Sequence, residues 1–359
     1  MDIESKIEVM KGFAEEIVTQ EELQNLFNSN DHPLAYDGFE PSGIAPIHFG
    51  LLRAKNVKKM LAIGIKMKLY LADYFAFINN KLEGDMQKIK KAGEYFIEVW
   101  SACGIDTSMV EIIWANELMD GLDYWDRVMR VGKTMTLERV KRAITIMGRK
   151  EGDSLSASQL LYPIMQVSDI FQMNIDICQL GMDQRRANIL AREVASKYKW
   201  KVPIAVHHAL VMGLQGMPPE AVANKEVHME YKMSKSNPKS AIYMHDSYEE
   251  IKSKVNSAYC PERIVDGNPM FNYLEYVLLE NLKQPITIPR SAKFGGNLEL
   301  VNYGDLVNAY KAGKLHPTDL KGYVSTLLEK EIKPVREHFE KNNRARELYE
   351  SMKSYKITR

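Results

Sequence analysis

The chain has 359 residues, more than one compact core usually supports, so two domains are the first expectation. Hydrophobic residues make up 45% and charged residues 26%, the balance of a folded globular protein, which excludes a disordered chain. With 48 Lys+Arg against 47 Asp+Glu the net charge is +1, so any nucleic-acid footprint must come from local clustering and not from a global field.

No apolar run approaches a membrane span, and the N-terminal "MDIESKIEVMKGF" lacks the apolar core of a secretion signal, so no membrane association is expected. Cys103, Cys178 and Cys260 are far apart and form neither a metal-ligand spacing nor a disulfide framework, which fits a reducing, cytoplasmic compartment.

In chain order, "LAYDGF" (34–39), "MKLYLAD" (67–73), "VEIIWA" (110–115), "NIDIC" (174–178) and "VPIAVHHALV" (202–211) read as strands. Most are apolar throughout, as strands covered on both faces are. Between them, Ile89, Ala92, Phe96, Trp100 and Cys103 form one helical stripe, with Asp85 at a plausible N-cap and Gly104 just past the end. Strand and helix in alternation predict a parallel, doubly wound sheet. After about residue 245 the strand signal fades, and the stretch 320–355 reads as helix. From Leu306 to Arg359 there are 12 Lys+Arg against 7 Asp+Glu, and a second basic run, "LERVKRAITIMGRK", spans 137–150; a solvated helix face is the commoner fate of such runs.

A parallel sheet binds ligands at the carboxyl ends of its strands, where "YDGFEPSG" (36–43), "LAD" (71–73) and "QLGMDQRR" (179–186) belong. In "LLYPIMQVSDIF" (160–171), Tyr162, Gln166 and Asp169 share one face of an otherwise apolar helix. That stripe either faces water or lines a buried network or pocket, because unpaired buried polar groups are costly. Asp183 is a natural N-cap for the next helix, with Gln184 just inside, at the ligand edge, and Tyr36 points toward the same crevice. Tyr36, Tyr162, Gln166, Asp169 and Gln184 together suit an amino acid better than a sugar phosphate.

"YDGFEPSG", "YPIMQVSDIF", "DICQLGMDQRRANILARE" and "KMSKS" (232–236), in this order and spacing, resemble the tyrosyl-tRNA synthetases of archaeal and eukaryotic cytoplasmic type, class I aminoacyl-tRNA synthetases. "SYEEIKSKVNSAYCP" (247–261), "KFGGNLE" (293–299) and "LHPTDLK" (315–321) resemble the C-terminal half of the same family. The resemblance implies an α/β fold: a class I Rossmann-like parallel-sheet catalytic domain over residues 1–244, followed by an α-helical anticodon-binding domain over 245–359. An insert at about 117–160 would form a homodimer.

The implied reaction activates L-tyrosine with ATP, carried as its Mg2+ complex, and then charges tRNA(Tyr); no tightly bound metal or organic cofactor is implied. Tyr36 and Asp169 would bond the substrate phenol, and Tyr162, Gln166 and Gln184 its α-amino group. Gly38, Gly43, Met233, Ser234, Lys235 and Ser236 would line ATP. Lys232 and Lys235, on a mobile loop, would meet charge on the leaving pyrophosphate. Phe294, His316 and Asp319 would meet the anticodon, although Asp319 also suits a helix cap. Lys133, Arg139, Lys141 and Arg142 are weaker candidates for acceptor-stem phosphates.

Two segments depart from the family pattern. "PSGIAPIHFGLL" (41–52) replaces an H-x-G-H-like motif. Ungapped, Pro46 takes the first histidine position, at the first turn of a helix; shifted by two, His48 takes it and Leu51 the second. Phe75 stands where many relatives carry a histidine. Competing readings are a tryptophanyl-tRNA synthetase, a synthetase-derived RNA-binding protein without activation, and a small-molecule nucleotidyltransferase on the same fold.

Overall fold

The structure, a computed structural model, describes residues 1–149, 153–222, 228–234 and 238–356, without the side chains of Pro238 and Phe294. These residues pack as two compact units, one of residues 1–43, 56–209 and 348–359, the other of residues 44–55 and 210–347.

The first unit is built on a six-stranded sheet of order β1-β6-β5-β2-β3-β4. Its strands are β1 (Ala14–Val18), β2 (Leu34–Phe39), β3 (Lys66–Leu71), β4 (Val110–Trp114), β5 (Ile177–Gly181) and β6 (Ile204–His208). All neighbours run parallel except β1, which pairs antiparallel with the edge of β6. β1 escaped the sequence reading because its two adjacent glutamates, Glu15 and Glu16, dilute the apolar signal that marks the inner strands. "NIDIC" marks its strand three residues early. Asp176 lies before the strand, where its carboxylate accepts from Leu34 N at 2.7 Å and ties the starts of two neighbouring strands together.

Helix α1 (Met86–Ala102) begins where expected, with Asp85 Oδ1 accepting from Gln87 N at 2.9 Å, and stops at Gly104, whose φ of +83° suits glycine. Helices α2 (Leu122–Gly132), α3 (Ala157–Gln172) and α4 (Arg185–Tyr198) pack with the sheet around one apolar cluster that contains Tyr36, Tyr70, Tyr124 and Tyr162. Asp183 does not cap α4 as expected. It sits in a 3-10 turn, Met182–Gln184, and the N-cap is Gln184 without a side-chain cap bond, because that amide is bonded elsewhere.

In the second unit, α5 (Tyr248–Ser257) opens with a capping box between Ser247 and Glu250 and packs against α6 (Pro317–Lys341). Asp319 is not the cap of α6; His316 Nδ1 accepts from Thr318 N at 3.2 Å and takes that role. The expected continuous helix over 320–355 breaks at Asn342, after which α7 covers Asn343–Ser354. A two-stranded antiparallel sheet of β7 (Ile286–Ile288) and β8 (Leu298–Leu300) also stands in this half, too short to register as periodic sequence.

Candidate active site

The strand order of the first unit reverses between β5 and β2, which places its ligand crevice at their carboxyl ends. Tyr36 pairs with Cys178 across those two strands, and Gly38 pairs with Tyr70 on β3. Side chains two apart on a strand share a face, so the Tyr36 and Tyr70 rings stand side by side with Gly38 between them. A Cβ on Gly38 would lie 3.5 Å from the Tyr36 ring and 3.6 Å from that of Tyr70, so any longer side chain would fill the space between the rings.

Asp169, on the face of α3 turned to these rings, is 1% exposed. Its Oδ2 accepts from the Tyr70 hydroxyl at 2.7 Å and its Oδ1 from the Tyr124 hydroxyl at 2.8 Å. Burial pushes its pKa up to about 7, and the two tyrosine bonds hold it from going higher. Tyr36 is pushed up by burial first, with the neighbouring Cys178 thiol and Asp169 carboxylate adding to it, so it stays a protonated donor. Its hydroxyl is buried without a hydrogen-bond partner among the described residues. An orphaned hydroxyl beside a carboxylate with spare lone pairs is a place for a ligand that both donates and accepts.

One end of the same stripe holds a second polar group. The Tyr162 hydroxyl donates to Glu40 Oε1 at 2.5 Å, which leaves its lone pairs free to accept. Asn79 Nδ2 lies 3.2 Å from both Glu40 oxygens and 2.9 Å from the Met147 carbonyl. Gln166 Nε2 donates to Gln184 Oε1 at 3.0 Å, and Gln184 Nε2 to the Ile146 carbonyl at 2.9 Å. This chain of bonds orients Gln166 Oε1, a buried acceptor without a partner among the described residues. Acceptors near a carboxylate suit an ammonium group. Phe75 packs edge-on against Tyr162, ring centroids 4.7 Å apart, so the residue that departs from the family histidine closes the wall as an apolar plate.

Tyr70, Tyr124, Glu40 and Asn79 were not singled out from the sequence. Glu40 stands inside a strand-end stretch already marked and Tyr70 inside the strand run 67–73, so the strand register could have found them. Tyr124 comes from a helix and Asn79 from the residue that ends one, and no local pattern announces where either faces.

Gly43, in the first unit, has φ of +110°, a turn that glycine adopts without strain. The other nucleotide candidates fall in the second unit. His48 opens a π-helical turn, His48–Leu52. Pro46 is not in the first turn of a helix as expected; it precedes the turn and bridges to Tyr243, flanked by Ile47 N to the Ile242 carbonyl at 3.0 Å and Met244 N to the Ala45 carbonyl at 2.9 Å. A Cβ on Gly50 would come within 2.6 Å of Met244 Sδ, so glycine allows this close approach. Lys232 bridges to Met212, and buried Met233 donates its N–H to the Val211 carbonyl at 2.8 Å. Beyond the loop, Leu214 N donates to the Ser240 carbonyl at 2.9 Å. Ser234 is half-buried; Lys235 and Ser236 lie outside the described residues.

His316 and Asp319 share the first turn of α6, where His316 Nε2 lies 3.6 Å from Glu262. Phe294 ends a 3-10 turn, Ala292–Phe294, and its side chain lies outside the described residues. On the first unit, Arg139 pairs with Glu193, which commits one basic candidate to an ion pair.

A parallel sheet with a polar pocket at its strand-order reversal is the doubly wound α/β architecture of many nucleotide- and small-molecule-binding proteins. Its relatives show which class this chain represents, the class I aminoacyl-tRNA synthetases. A family model described as "tRNA synthetases class I (W and Y)" matches residues 28–333. Tyrosine--tRNA ligase 1, cytoplasmic, of Arabidopsis thaliana is 41% identical over 361 residues, covering 100% of this chain and 90% of that protein. Tyrosine--tRNA ligase of Pyrococcus abyssi is 40% identical over 378 residues, covering 100% of both. The crystal structure of tyrosyl-tRNA synthetase complexed with L-tyrosine from Pyrococcus horikoshii superposes with a TM-score of 0.90 at 37% identity, covering 98% of this chain and 100% of that one. The chain belongs to the tyrosyl-tRNA synthetases.

Proposed function

We propose that the chain is a tyrosine–tRNA ligase that forms tyrosyl-adenylate from L-tyrosine and ATP and passes the tyrosyl group to the 3′ end of tRNA(Tyr). The observation that carries this reading is the pairing of a buried carboxylate, Asp169, with the orphaned hydroxyl of Tyr36 in an apolar shell. A phenol donates to the first and accepts from the second. An indole N–H can only donate and would leave Tyr36 unpaired, which disfavours tryptophan. Gln166 Oε1 and the Tyr162 hydroxyl accept from the ammonium group, with Gln184 orienting Gln166 and Glu40 accepting the hydrogen bond that Tyr162 donates.

The first step is attack of the tyrosine carboxylate on the α-phosphorus of ATP. The C–O–P bond forms as the bond to pyrophosphate breaks, and no side chain becomes covalently attached. Catalysis then consists of positioning and of charge on the leaving group being met. For ATP, the residues we assign are Gly38 and Gly43 on the first unit, and His48, Lys232, Met233, Ser234, Lys235 and Ser236 elsewhere in the chain, with the lysines meeting phosphate charge. Mg2+ arrives as part of the ATP complex. Among the described residues there is no cluster of three or more His, Cys, Asp or Glu that could hold a metal.

The segment 245–359 takes the anticodon, with Phe294, His316 and Asp319 at the bases, and residues 1–244 carry the chemistry. Among the described residues no helix is long and apolar enough to cross a membrane; the cytoplasmic Arabidopsis relative supports a cytoplasmic location for this chain.

ATP–pyrophosphate exchange driven by single amino acids tests the activity. Tyrosine should support exchange, with tryptophan and phenylalanine at least 100-fold weaker, because each leaves a buried polar partner unmet (about 2–3 kcal/mol). Exchange driven best by tryptophan would overturn the assignment.

The region 117–160 forms a homodimer face. Leu122 (87% exposed), Trp125 and Met129 on α2, with Leu161, Tyr74 and Phe77, are exposed large apolar side chains of the first unit. Such a cluster on a charged protein marks an interaction surface. Trp125→Glu should convert a dimer to a monomer in sedimentation equilibrium at micromolar concentration; a wild type that is monomeric there would sink the dimer reading.

A further inference from the structure

We propose that Tyr70 and Tyr124 are positioning residues that hold Asp169 as an ionised, acceptor-only group and so fix the direction of the hydrogen bond it makes with the substrate phenol. The inference rests on the tyrosine reading of the pocket and adds two residues to it.

Each oxygen of Asp169 receives one buried tyrosine hydroxyl, Tyr70 on Oδ2 at 2.7 Å and Tyr124 on Oδ1 at 2.8 Å. A carboxylate offers about four lone-pair sites, so each oxygen keeps roughly one for a ligand. The two tyrosines come from β3 and α2, while Asp169 is on α3, so three elements clamp a single carboxylate. Both tyrosines are buried, and Tyr70 is braced edge-on by Phe75 at 6.2 Å, which leaves neither ring room to turn away.

A protonated carboxyl could donate to the phenol oxygen as readily as accept from it. The bond would then no longer require the substrate's own hydrogen. Two donors aimed at the carboxylate favour the ionised form and remove that ambiguity. Selection for a ring oxygen that carries its own hydrogen, over an ether at the same place, therefore depends on groups that never touch the ligand.

The titratable groups facing Asp169 are few. Tyr70 comes from β3, Tyr124 from α2 and Tyr36 from β2. Cys178 of β5 sits beside Tyr36, Asp73 is felt at Tyr70, and Tyr162 lies further along the same helix. Among the described residues no cation takes part in setting its ionisation; burial opposes it and only the two tyrosines support it. Its pKa of about 7 puts the balance inside the working range, where the loss of one donor is felt. A raised carboxyl is ionised above that value and protonated below it, so tyrosine binding is full at high pH and weakens as pH falls through it. Removing a donor moves this limb to higher pH.

The test is the pH dependence, from pH 6 to 9, of KM for tyrosine in pyrophosphate exchange by the wild type, Tyr70→Phe and Tyr124→Phe. Thermal melting of each variant shows that the protein remains folded. Each variant should move the limb upward by about one pH unit, giving a tyrosine KM near pH 7 raised about fivefold, with the gap widening toward pH 6, closing toward pH 9, and kcat little changed. A KM raised by the same factor at every pH, in either folded variant, would mean that the tyrosine only fills space and would overturn the inference alone. A wild type without tyrosine-dependent exchange would overturn it together with the tyrosine reading.

Discussion

Asp169→Asn lowers kcat/KM for tyrosine in pyrophosphate exchange by about 100-fold and leaves the much weaker use of phenylalanine nearly unchanged. The substitution keeps the shape of the side chain but exchanges one acceptor oxygen for an NH2 donor. That donor faces either the Tyr70 or the Tyr124 hydroxyl, both of which now donate to the carboxylate. One tyrosine must turn its hydrogen away inside a buried cluster, and the substrate phenol loses a charged acceptor. A hydrogen bond to a charged group is worth about 1.5–3 kcal/mol, and a tenfold change in rate is about 1.4 kcal/mol. The lost bond to the substrate phenol by itself reaches the stated factor at the upper end of that range, while the turned tyrosine weighs on stability in every state. Phenylalanine brings no hydroxyl and has no such bond to lose. The informative quantity is the ratio of the two specificity constants. Should it stay at its wild-type value, Asp169 does not read the phenol. Asp169→Ala is a poorer probe, because it strands two buried hydroxyls in every state of the protein and lowers the melting temperature as well.

Lys232→Ala and Lys235→Ala should each lower kcat for tyrosyl-adenylate formation by about 100-fold or more, with the equilibrium affinity for tyrosine unchanged. Negative charge moves onto the departing pyrophosphate during the step, and an ammonium placed there stabilises the transition state more than the bound substrates. The segments flanking the loop are held by backbone bonds, Met233 N to the Val211 carbonyl at 2.8 Å before it and Leu214 N to the Ser240 carbonyl at 2.9 Å after it. Side-chain truncation leaves those anchors intact. Among the described residues, the hydrogen bonds that hold Tyr162, Gln166, Asp169 and Gln184 run to Glu40, Tyr70, Tyr124 and the Ile146 carbonyl and to one another, which is why tyrosine affinity should be spared. Single-turnover measurement of adenylate formation separates this step from product release. An unchanged single-turnover rate would show that the lysines play no part in the chemistry.

The inner strands were legible because they are covered on both faces and spell continuous apolar runs; β1, at the edge with Glu15 and Glu16, was not. The start of α1 was legible because its cap is made by a side chain one residue away, whereas α4 defied its apparent Asp183 cap because a distant bond claims Gln184. The pocket divides in the same way. Tyr162, Gln166 and Asp169 share a helix face, and 3.6-residue periodicity is a local property that one sequence displays.

The amino-acid sequence by itself determined the doubly wound sheet, the family through four ordered motifs, and the polar stripe that the pocket uses. Only the tertiary structure decided that Tyr70 and Tyr124 converge on Asp169, 99 and 45 residues away, and that Glu40 reaches Tyr162 across 122. Partners of that kind are chosen by strand register and helix packing, which depend on the whole core at once and leave no periodic trace in the chain.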